Sequence, residues 1–185
     1  NEYFEKCYSV ICGTDDAGRG PLCGPVVAAA CILPEGLVIP ELNDSKKLSE
    51  KKRDALFDVI KEKAIAWSVA SASEAEIDEI NILQATYLAM ERAINELKVK
   101  ADFALIDGNR AKDFGIPVET VVGGDGKSAS IAAASILAKV TRDDYMLKMA
   151  EVYPQYGFEI HKGYGTKAHY AALTEFGACP IHRMS

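Results

Sequence analysis

The pattern of apolar and polar positions changes period several times along the chain, which predicts strands and helices in alternation. Short apolar or β-branched runs, bounded by Gly, Pro, Asn or Asp, are typical of buried strands. Five such runs predict strands at 9–14, 26–33, 67–72, 103–106 and 117–122.

Helical periodicity fills most of the intervening segments. Ser49 and Ser73 are suitable N-caps for helices at 50–64 and 74–80. An apolar stripe at 82–97 and an alanine-rich segment from about 127 to 149, preceded by Asp125 as a possible N-cap, predict two longer helices. A last helix is expected from 166 or 167 to 176, where Gly177 and Pro180 follow.

This order predicts an α/β fold in which a mixed sheet carries helices on both faces. A chain of 185 residues fits a single domain, which we expect to cover 1–185. The hydrophobic content of 49% and the charged content of 26% are ordinary for a globular protein with a core.

Cysteine spacing and hydropathy bear on the cellular compartment. The five cysteines form no C-x-x-C pair, so reduced buried thiols are a better interpretation than disulfides or zinc ligands. No signal peptide is recognisable, and no uncharged apolar stretch is long enough to cross a bilayer. We therefore expect a cytoplasmic protein without a membrane partner.

Three aspartates, Asp15, Asp107 and Asp125, each come at or just after the end of an apolar run. In α/β folds, ligand sites gather at strand ends, and several carboxylates there would suit Mg²⁺ or Mn²⁺. Each aspartate also has a structural interpretation, since all three stand in sequences typical of turns or helix N-caps.

The segment after Asp15 and Asp16 combines two chemistries. Gly18-Arg19-Gly20 offers backbone and guanidinium donors that can approach a phosphate and a sugar closely, although a short G-x-G is also an ordinary turn. Tyr164, between two glycines, could stack on a sugar or base, or could anchor a loop. The net charge of −6 argues against a simple nucleic-acid binder, unless bound cations offset the acids.

Six blocks, in this order, resemble the bacterial ribonuclease HII family. They are DDAGRGPLCGPV (15–26), NDSKKL (43–48), LIDG (105–108), GDGKS (124–128), AASILAKVTRD (133–143) and HKGYGT (161–166). The resemblance implies a ribonuclease H-like three-layer fold with a five-stranded mixed sheet flanked by helices. It also implies a C-terminal helical extension at about 150–185 that contacts substrate.

The same resemblance implies an endonuclease that hydrolyses RNA in RNA/DNA hybrids and at single ribonucleotides in duplex DNA. The cut falls 5′ to the ribonucleotide and leaves a 3′-hydroxyl and a 5′-phosphate, a reaction used in ribonucleotide removal during replication and repair. Four acids, Asp15, Asp16, Asp107 and Asp125, would bind two Mg²⁺ or Mn²⁺ ions, with Asp15 touching both.

Substrate contacts follow from the resemblance as well. Gly18, Arg19 and Gly20 would contact the ribonucleotide's 2′-hydroxyl, the group that distinguishes RNA from DNA, and neighbouring phosphates. Tyr164 would pack against the next sugar. Lys46, Lys47 and Lys127 are candidate phosphate contacts. Lys139 and Arg142 are further candidates, for which a structural role is the alternative. A monomer is expected.

One position departs from the family, because its second acid is normally glutamate and here is Asp16, one methylene shorter. We therefore expect slower cleavage with magnesium or a stronger preference for manganese. The alternative function is a non-catalytic or weakly active hybrid-binding module. Gly18-Arg19-Gly20 argues against the sister enzyme ribonuclease HIII, and the lack of a Walker-type loop argues against a phosphotransferase.

Overall fold

The computed structural model describes residues 10–185, apart from the side chain of Asp44. Two positions used in the sequence interpretation, Cys7 and the strand start at Ser9, lie outside the described residues. The four described cysteines, Cys12, Cys23, Cys31 and Cys179, are all free thiols. Within residues 10–185 no helix is long and apolar enough to span a membrane.

The five predicted strands form one mixed sheet, as expected. The strands are β1 (Ile11–Ala17), β2 (Val26–Ile32), β3 (Ala66–Ala72), β4 (Phe103–Asp107) and β5 (Val118–Val121). Their order across the sheet is β3-β2-β1-β4-β5. The pairings of β1 with β2 and of β2 with β3 are antiparallel, whereas those of β1 with β4 and of β4 with β5 are parallel.

The helices lie close to their predicted positions. A 3-10 helix (Leu42–Lys47) precedes the α-helices, which are α1 (Glu50–Lys63), α2 (Glu74–Ile80), α3 (Ile82–Asn95), α4 (Gly124–Lys127), α5 (Ala129–Val152), α6 (Phe158–His161) and α7 (Lys167–Phe176). The predicted caps are confirmed, since Ser49 and Ser73 each accept a backbone N–H in the first turn that follows. Thr166, expected as a possible first residue of the last helix, caps α7 in the same way.

Strand β2 shows why the fold has three layers. All seven of its residues are buried, with Ala28 and Ala30 in a core beneath α3 and Ala29 and Cys31 in a second core beneath α5. A strand covered on both faces reads as a continuous apolar run, which is how it appears in the sequence.

Two predicted boundaries differ from the structure in ways that affect the candidate site. Strand β1 does not end at Asp15 but continues to Ala17, and Asp15 and Asp16 pair with Ala29 and Ala28 of β2. Backbone pairing with β2 extends β1, because a ladder needs no apolar side chain.

The second difference is that the alanine-rich helix begins at Ala129, after a separate short helix at 124–127. Ser128 has an extended backbone and accepts the Ile131 N–H, so it caps α5 and separates it from the short α4. Asp125 thus lies inside α4 and is not the N-cap of the long helix, which was its structural interpretation.

Close packing of α5 on β1 depends on Gly13. A Cβ added at Gly13 would lie 2.2 Å from the Ser130 carbonyl carbon, far inside van der Waals contact. The helix therefore approaches the sheet at the point from which the acids of β1 extend.

We predict that Gly13→Ala lowers the free energy of unfolding by about 3 kcal/mol, because α5 has to move away from the sheet. Gly126→Ala is the matched control, since a Cβ there meets no atom within 4 Å, and its effect should stay within about 0.5 kcal/mol. Urea unfolding of the three proteins measures this. Equal stability of Gly13→Ala and Gly126→Ala would contradict the packing described here.

Candidate active site

The topology brings the four predicted acids to one edge of the sheet. Asp15 and Asp16 lie in β1, and the parallel register of β1 with β4, which pairs Thr14 with Ile106, places Asp107 beside them. Asp125 joins them from α4, the helix that follows β5.

A backbone hydrogen bond connects the sheet edge to α4. The Gly124 N–H donates to Asp107 Oδ1 at 2.6 Å. A Cβ added at Gly124 would lie 2.6 Å from Ile131 Cδ1 and 3.1 Å from the same Asp107 oxygen, so only glycine allows this approach. The bond orients Asp107 and holds α4, with Asp125, close to the strand ends.

The electrostatics of the acids follow from burial and repulsion. Burial raises the pKa of Asp15 well above its usual range, and the neighbouring charges of Asp16, Asp107 and Asp125 raise it further. Burial likewise raises the pKa of Asp16 to about 6, while Arg19 opposes this rise and Asp107 adds to it. Four such oxygen donors are the ligand set that hard divalent cations prefer, so these residues fit Mg²⁺ or Mn²⁺.

The predicted lysines lie around the acids. Lys46, at the end of the 3-10 helix, forms a 3.1 Å ion pair with Asp125, and this partner raises the pKa of Lys46. Lys46 nevertheless remains 77% exposed. Lys47 and Lys127 are also exposed, one beside Lys46 and the other at the end of α4. All three are placed where a polyanion approaching the acids would pass.

The Gly18-Arg19-Gly20 turn leaves β1 directly after the acids and meets Tyr164. A Cβ at Gly20 would be 3.5 Å from Tyr164 Cε1, so the exposed face of the turn and the tyrosine ring are neighbours. Tyr164 is 41% exposed. The Leu22 N–H donates to the Gly163 carbonyl at 2.8 Å, which ties the two loops together.

Two clefts lie beside the acids. One, of about 280 Å³, lies between Asp16, Lys46, Lys139 and Tyr164. The other, of about 320 Å³, passes Arg19 and Asp107. The acids, the lysines and the turn thus border neighbouring clefts on one charged surface.

The structural alternative is confirmed for Arg142. Its side chain is buried and donates to the carbonyl oxygens of Pro25, Cys23 and Lys162 at 3.1, 2.7 and 2.7 Å. A Cβ at Gly18 would lie 2.2 Å from Arg142 Nε, so the arginine supports the turn from inside the protein.

Lys139 has two sets of neighbours. It pairs with Asp143 at 3.0 Å one helical turn later, but it also lines the cleft beside Asp16. Its position therefore remains compatible with both of its predicted roles.

Sequence inspection missed two residues that hold this surface, His182 and Arg183. The Arg183 guanidinium donates to carbonyl oxygens in the turn, and His182 contacts His169, which in turn bonds the Tyr164 carbonyl. No local motif marks them, because the partners of Arg183 are more than 150 residues away and the partner of His182 lies in α7.

Comparison with known proteins agrees with the fold and the motifs. The family model described as Ribonuclease HII matches residues 12–185. A Ribonuclease HII of Dechloromonas aromatica is 62% identical over 95% of this chain and 90% of its own length. A Ribonuclease HII of Endomicrobium trichonymphae is 59% identical over 99% of this chain and 88% of its own length.

A solved structure shows the same architecture. The ribonuclease HII of Archaeoglobus fulgidus, determined in a complex with PCNA, superposes with a TM-score of 0.80 at 26% identity and covers 95% of this chain and 94% of its own. The fold and the clustered acids thus define a nuclease of the ribonuclease H-like class. The chain belongs to the ribonuclease HII family and is an endonuclease of the kind that hydrolyses RNA in RNA/DNA hybrids.

We predict that divalent cations stabilise this protein more at pH 7.5 than at pH 5. The raised pKa values mean that folded Asp15 and Asp16 hold protons that the unfolded chain releases, so this contribution to stability is lost as pH rises from about 4 through 6. Cations at tenfold excess over their dissociation constant should restore about 1.4 kcal/mol at pH 7.5, or about 4 °C in melting temperature.

Differential scanning fluorimetry with Mn²⁺, Mg²⁺ or chelator at both pH values measures this increment. Asp107→Asn should show a smaller increment and a higher melting temperature without metal, because it removes one repelling charge. An increment that is the same at both pH values, or unchanged in Asp107→Asn, would contradict cation binding at these acids.

Proposed function

We propose that this protein cleaves the phosphodiester bond 5′ to a ribonucleotide, both in RNA/DNA hybrids and at single ribonucleotides in duplex DNA. The products would be a 3′-hydroxyl and a 5′-phosphate, and the cellular role would be ribonucleotide removal in replication and repair. The observation that carries the proposal is that Tyr164 lines the same cleft as Asp16, with its ring next to Gly20 of the turn.

Asp15, Asp16, Asp107 and Asp125 are the residues that would hold two divalent ions. When bound, such ions activate an attacking water and stabilise the leaving oxygen of a phosphodiester. The chain's own contribution is to hold the carboxylates rigidly. Asp15 Oδ1 accepts the Asp16 N–H at 2.8 Å, and Asp107 Oδ1 accepts the Gly124 N–H.

The turn and the tyrosine supply the choice of substrate in this proposal. Backbone donors of Gly18, Arg19 and Gly20 would bind the 2′-hydroxyl and the adjacent phosphates. The absence of a side chain at Gly18 lets the turn lie against Arg142, and the absence of one at Gly20 leaves space beside the Tyr164 ring. Tyr164 would pack against the following sugar, and a 2′-hydroxyl on that sugar would disturb the packing. The preferred site is therefore a ribonucleotide followed by DNA.

The lysines at the rim would bind the phosphate backbone. Lys46, Lys47 and Lys127 are exposed around the acids, where their ammonium groups can reach phosphates. Lys46 pairs with buried Asp125 in this structure, so a divalent ion at the acids would have to take over that charge when Lys46 binds a phosphate. Their positive charge offsets locally the chain's net charge of −6. Residues 150–185, which carry Tyr164, are proposed as the substrate-contacting part of a single domain over 1–185, acting as a cytoplasmic monomer.

The alternative of a non-catalytic binding module rested on Asp16. The relatives described above are ribonucleases, so catalysis with an altered second acid is the proposal that we retain.

We predict that the protein cuts a DNA duplex with one ribonucleotide at its 5′ side in Mg²⁺ or Mn²⁺, and leaves an all-DNA duplex intact. Asp107→Asn should lower the rate by at least about 100-fold while the protein stays folded, because it removes one carboxylate ligand. End-labelled substrates resolved on a sequencing gel map the cut. Cleavage 3′ to the ribonucleotide, or cleavage of the all-DNA control, would refute the proposed specificity.

We further predict that Asp16→Glu raises the cleavage rate in magnesium by about tenfold. The ratio of the rate in manganese to the rate in magnesium should fall accordingly. The longer side chain restores the reach of the family's usual second acid, which matters more for Mg²⁺ because it demands stricter geometry. Asp58→Glu, in an exposed position of α1, is the matched control and should change neither rate. An unchanged magnesium rate in Asp16→Glu would remove the reason for linking this departure to activity.

A further inference from the structure

The guanidinium of Arg183 lies beneath the Gly18-Arg19-Gly20 turn and bonds its carbonyl oxygens. Nη2 donates to the Gly18 carbonyl at 2.6 Å, Nη1 to the Pro21 carbonyl at 2.8 Å, and Nε to the Gly24 carbonyl at 2.9 Å. Longer bonds reach the carbonyls of Arg19 at 3.2 Å and Pro25 at 3.3 Å. A single side chain thus holds five carbonyl groups of one loop.

These bonds decide which polar groups the turn can offer to a substrate. A carbonyl that accepts from Arg183 is directed toward the protein, away from an approaching phosphate that it would repel. The turn is therefore held in one conformation in which recognition falls to its N–H donors and to the Arg19 side chain. The planar fork of an arginine suits this task, since it supplies several donors in a fixed geometry.

The preceding residue, His182, makes an equivalent connection to Tyr164. The Cys179 N–H donates to His182 Nδ1 at 2.9 Å, so neutral His182 carries its proton on Nε2. His182 Nε2 donates a hydrogen bond to His169 Nε2 at 2.8 Å. His169 Nδ1 then donates to the Tyr164 carbonyl at 2.9 Å. The chain of bonds runs from residue 182 to the tyrosine's backbone without a break.

The same cluster, Cys23, His169 and His182, has the ligand types of a metal site, with donor atoms within 4.8 Å of one another. Its hydrogen bonds argue against that use. A metal on His182 Nε2 would require the proton on Nδ1, where it would face the Cys179 N–H. The cluster is better explained as a connection between loops.

We propose that Arg183 is a positioning residue for ribonucleotide recognition, and that with His182 it sets the distance between the Gly18-Arg19-Gly20 turn and Tyr164. The inference rests on the proposed function, in which these two loops select a ribonucleotide followed by DNA. Loss of the Arg183 guanidinium would let the turn adopt other conformations. The turn could then no longer bind the 2′-hydroxyl while Tyr164 packs against the next sugar.

The backbone of this segment stays attached without the side chain, which makes the idea testable. The Arg183 N–H donates to the Leu22 carbonyl and the Gly24 N–H to the Ile181 carbonyl, both at 2.9 Å. We therefore expect Arg183→Met to fold, with Arg183→Lys as a milder second variant that keeps the charge but not the fork.

The test compares kcat and KM on two substrates, a duplex with a single ribonucleotide and a hybrid with continuous RNA. Arg183→Met should raise KM for the single-ribonucleotide duplex and lower its kcat/KM on the order of 10 to 100-fold, with a much smaller loss on the continuous hybrid. The ratio of kcat/KM on the single-ribonucleotide duplex to kcat/KM on the continuous hybrid would therefore be lower than in the wild-type protein. Arg183→Lys should recover part of that preference.

Arg92→Met is the matched control. Arg92 also donates to a backbone carbonyl, that of Ser71, and pairs with Glu76 at 2.6 Å, but it lies between α3, α2 and β3. The Arg92→Met variant should have a lower melting temperature than the wild type but the same ratio of the two kcat/KM values. A merely structural role for Arg183 predicts that Arg183→Met behaves in the same way.

The outcomes separate the two proposals. A wild-type protein without preference for the single ribonucleotide would refute the proposed function itself. A wild-type preference that Arg183→Met retains would overturn the positioning role and leave the proposed function intact. Should Arg183→Met fail to fold, the same decision rests on Arg183→Lys, whose preference must then lie below that of the wild type.

Discussion

Mutual repulsion among buried carboxylates is the constraint around which this molecule is arranged. Asp15 lies 7% exposed beside Asp16 and within the field of Asp107 and Asp125, and burial leaves little water to screen the charges. Like charges this close cost free energy unless a proton or a cation intervenes. The raised pKa values of Asp15 and Asp16 express that cost, and a pair of divalent ions would remove it.

The scaffold holds the carboxylates in place against this repulsion. Strand β1 is central in the sheet, paired on both sides, and α5 is packed on it through Gly13 with no room for a side chain. Asp107 ends the neighbouring strand and is bonded to the Gly124 N–H. Rigid elements thus carry the acids, which is the usual condition for a site whose chemistry depends on fixed charges.

The recognition surface is built differently, from loops that depend on side chains far away in sequence. The guanidinium groups of Arg142 and Arg183 both donate hydrogen bonds to backbone carbonyls around the turn and the Tyr164 loop. The burial of Arg183 lowers its pKa to about 10, so it is still charged at neutral pH and its bonds to carbonyls are charge-assisted. The buried Arg142 and the half-buried Arg183 therefore stabilise a loop whose exposed side remains free for a substrate.

Much of the fold and of the candidate site could be predicted from the sequence, because the signals are local. The apolar run of β2 and the caps at Ser49 and Ser73 determined strands and helices within a residue or two. Asp15, Asp107 and Asp125 were recognisable by their place at or just after apolar runs, and Asp16 by the family motif. Only the tertiary structure decided where β1 ends and why α4 separates from α5, because pairing with β2 and the cap at Ser128 override local pattern. It also decided the roles of Arg142 and Arg183, since a hydrogen bond between residues more than 100 positions apart leaves no trace in the pattern of neighbouring residues.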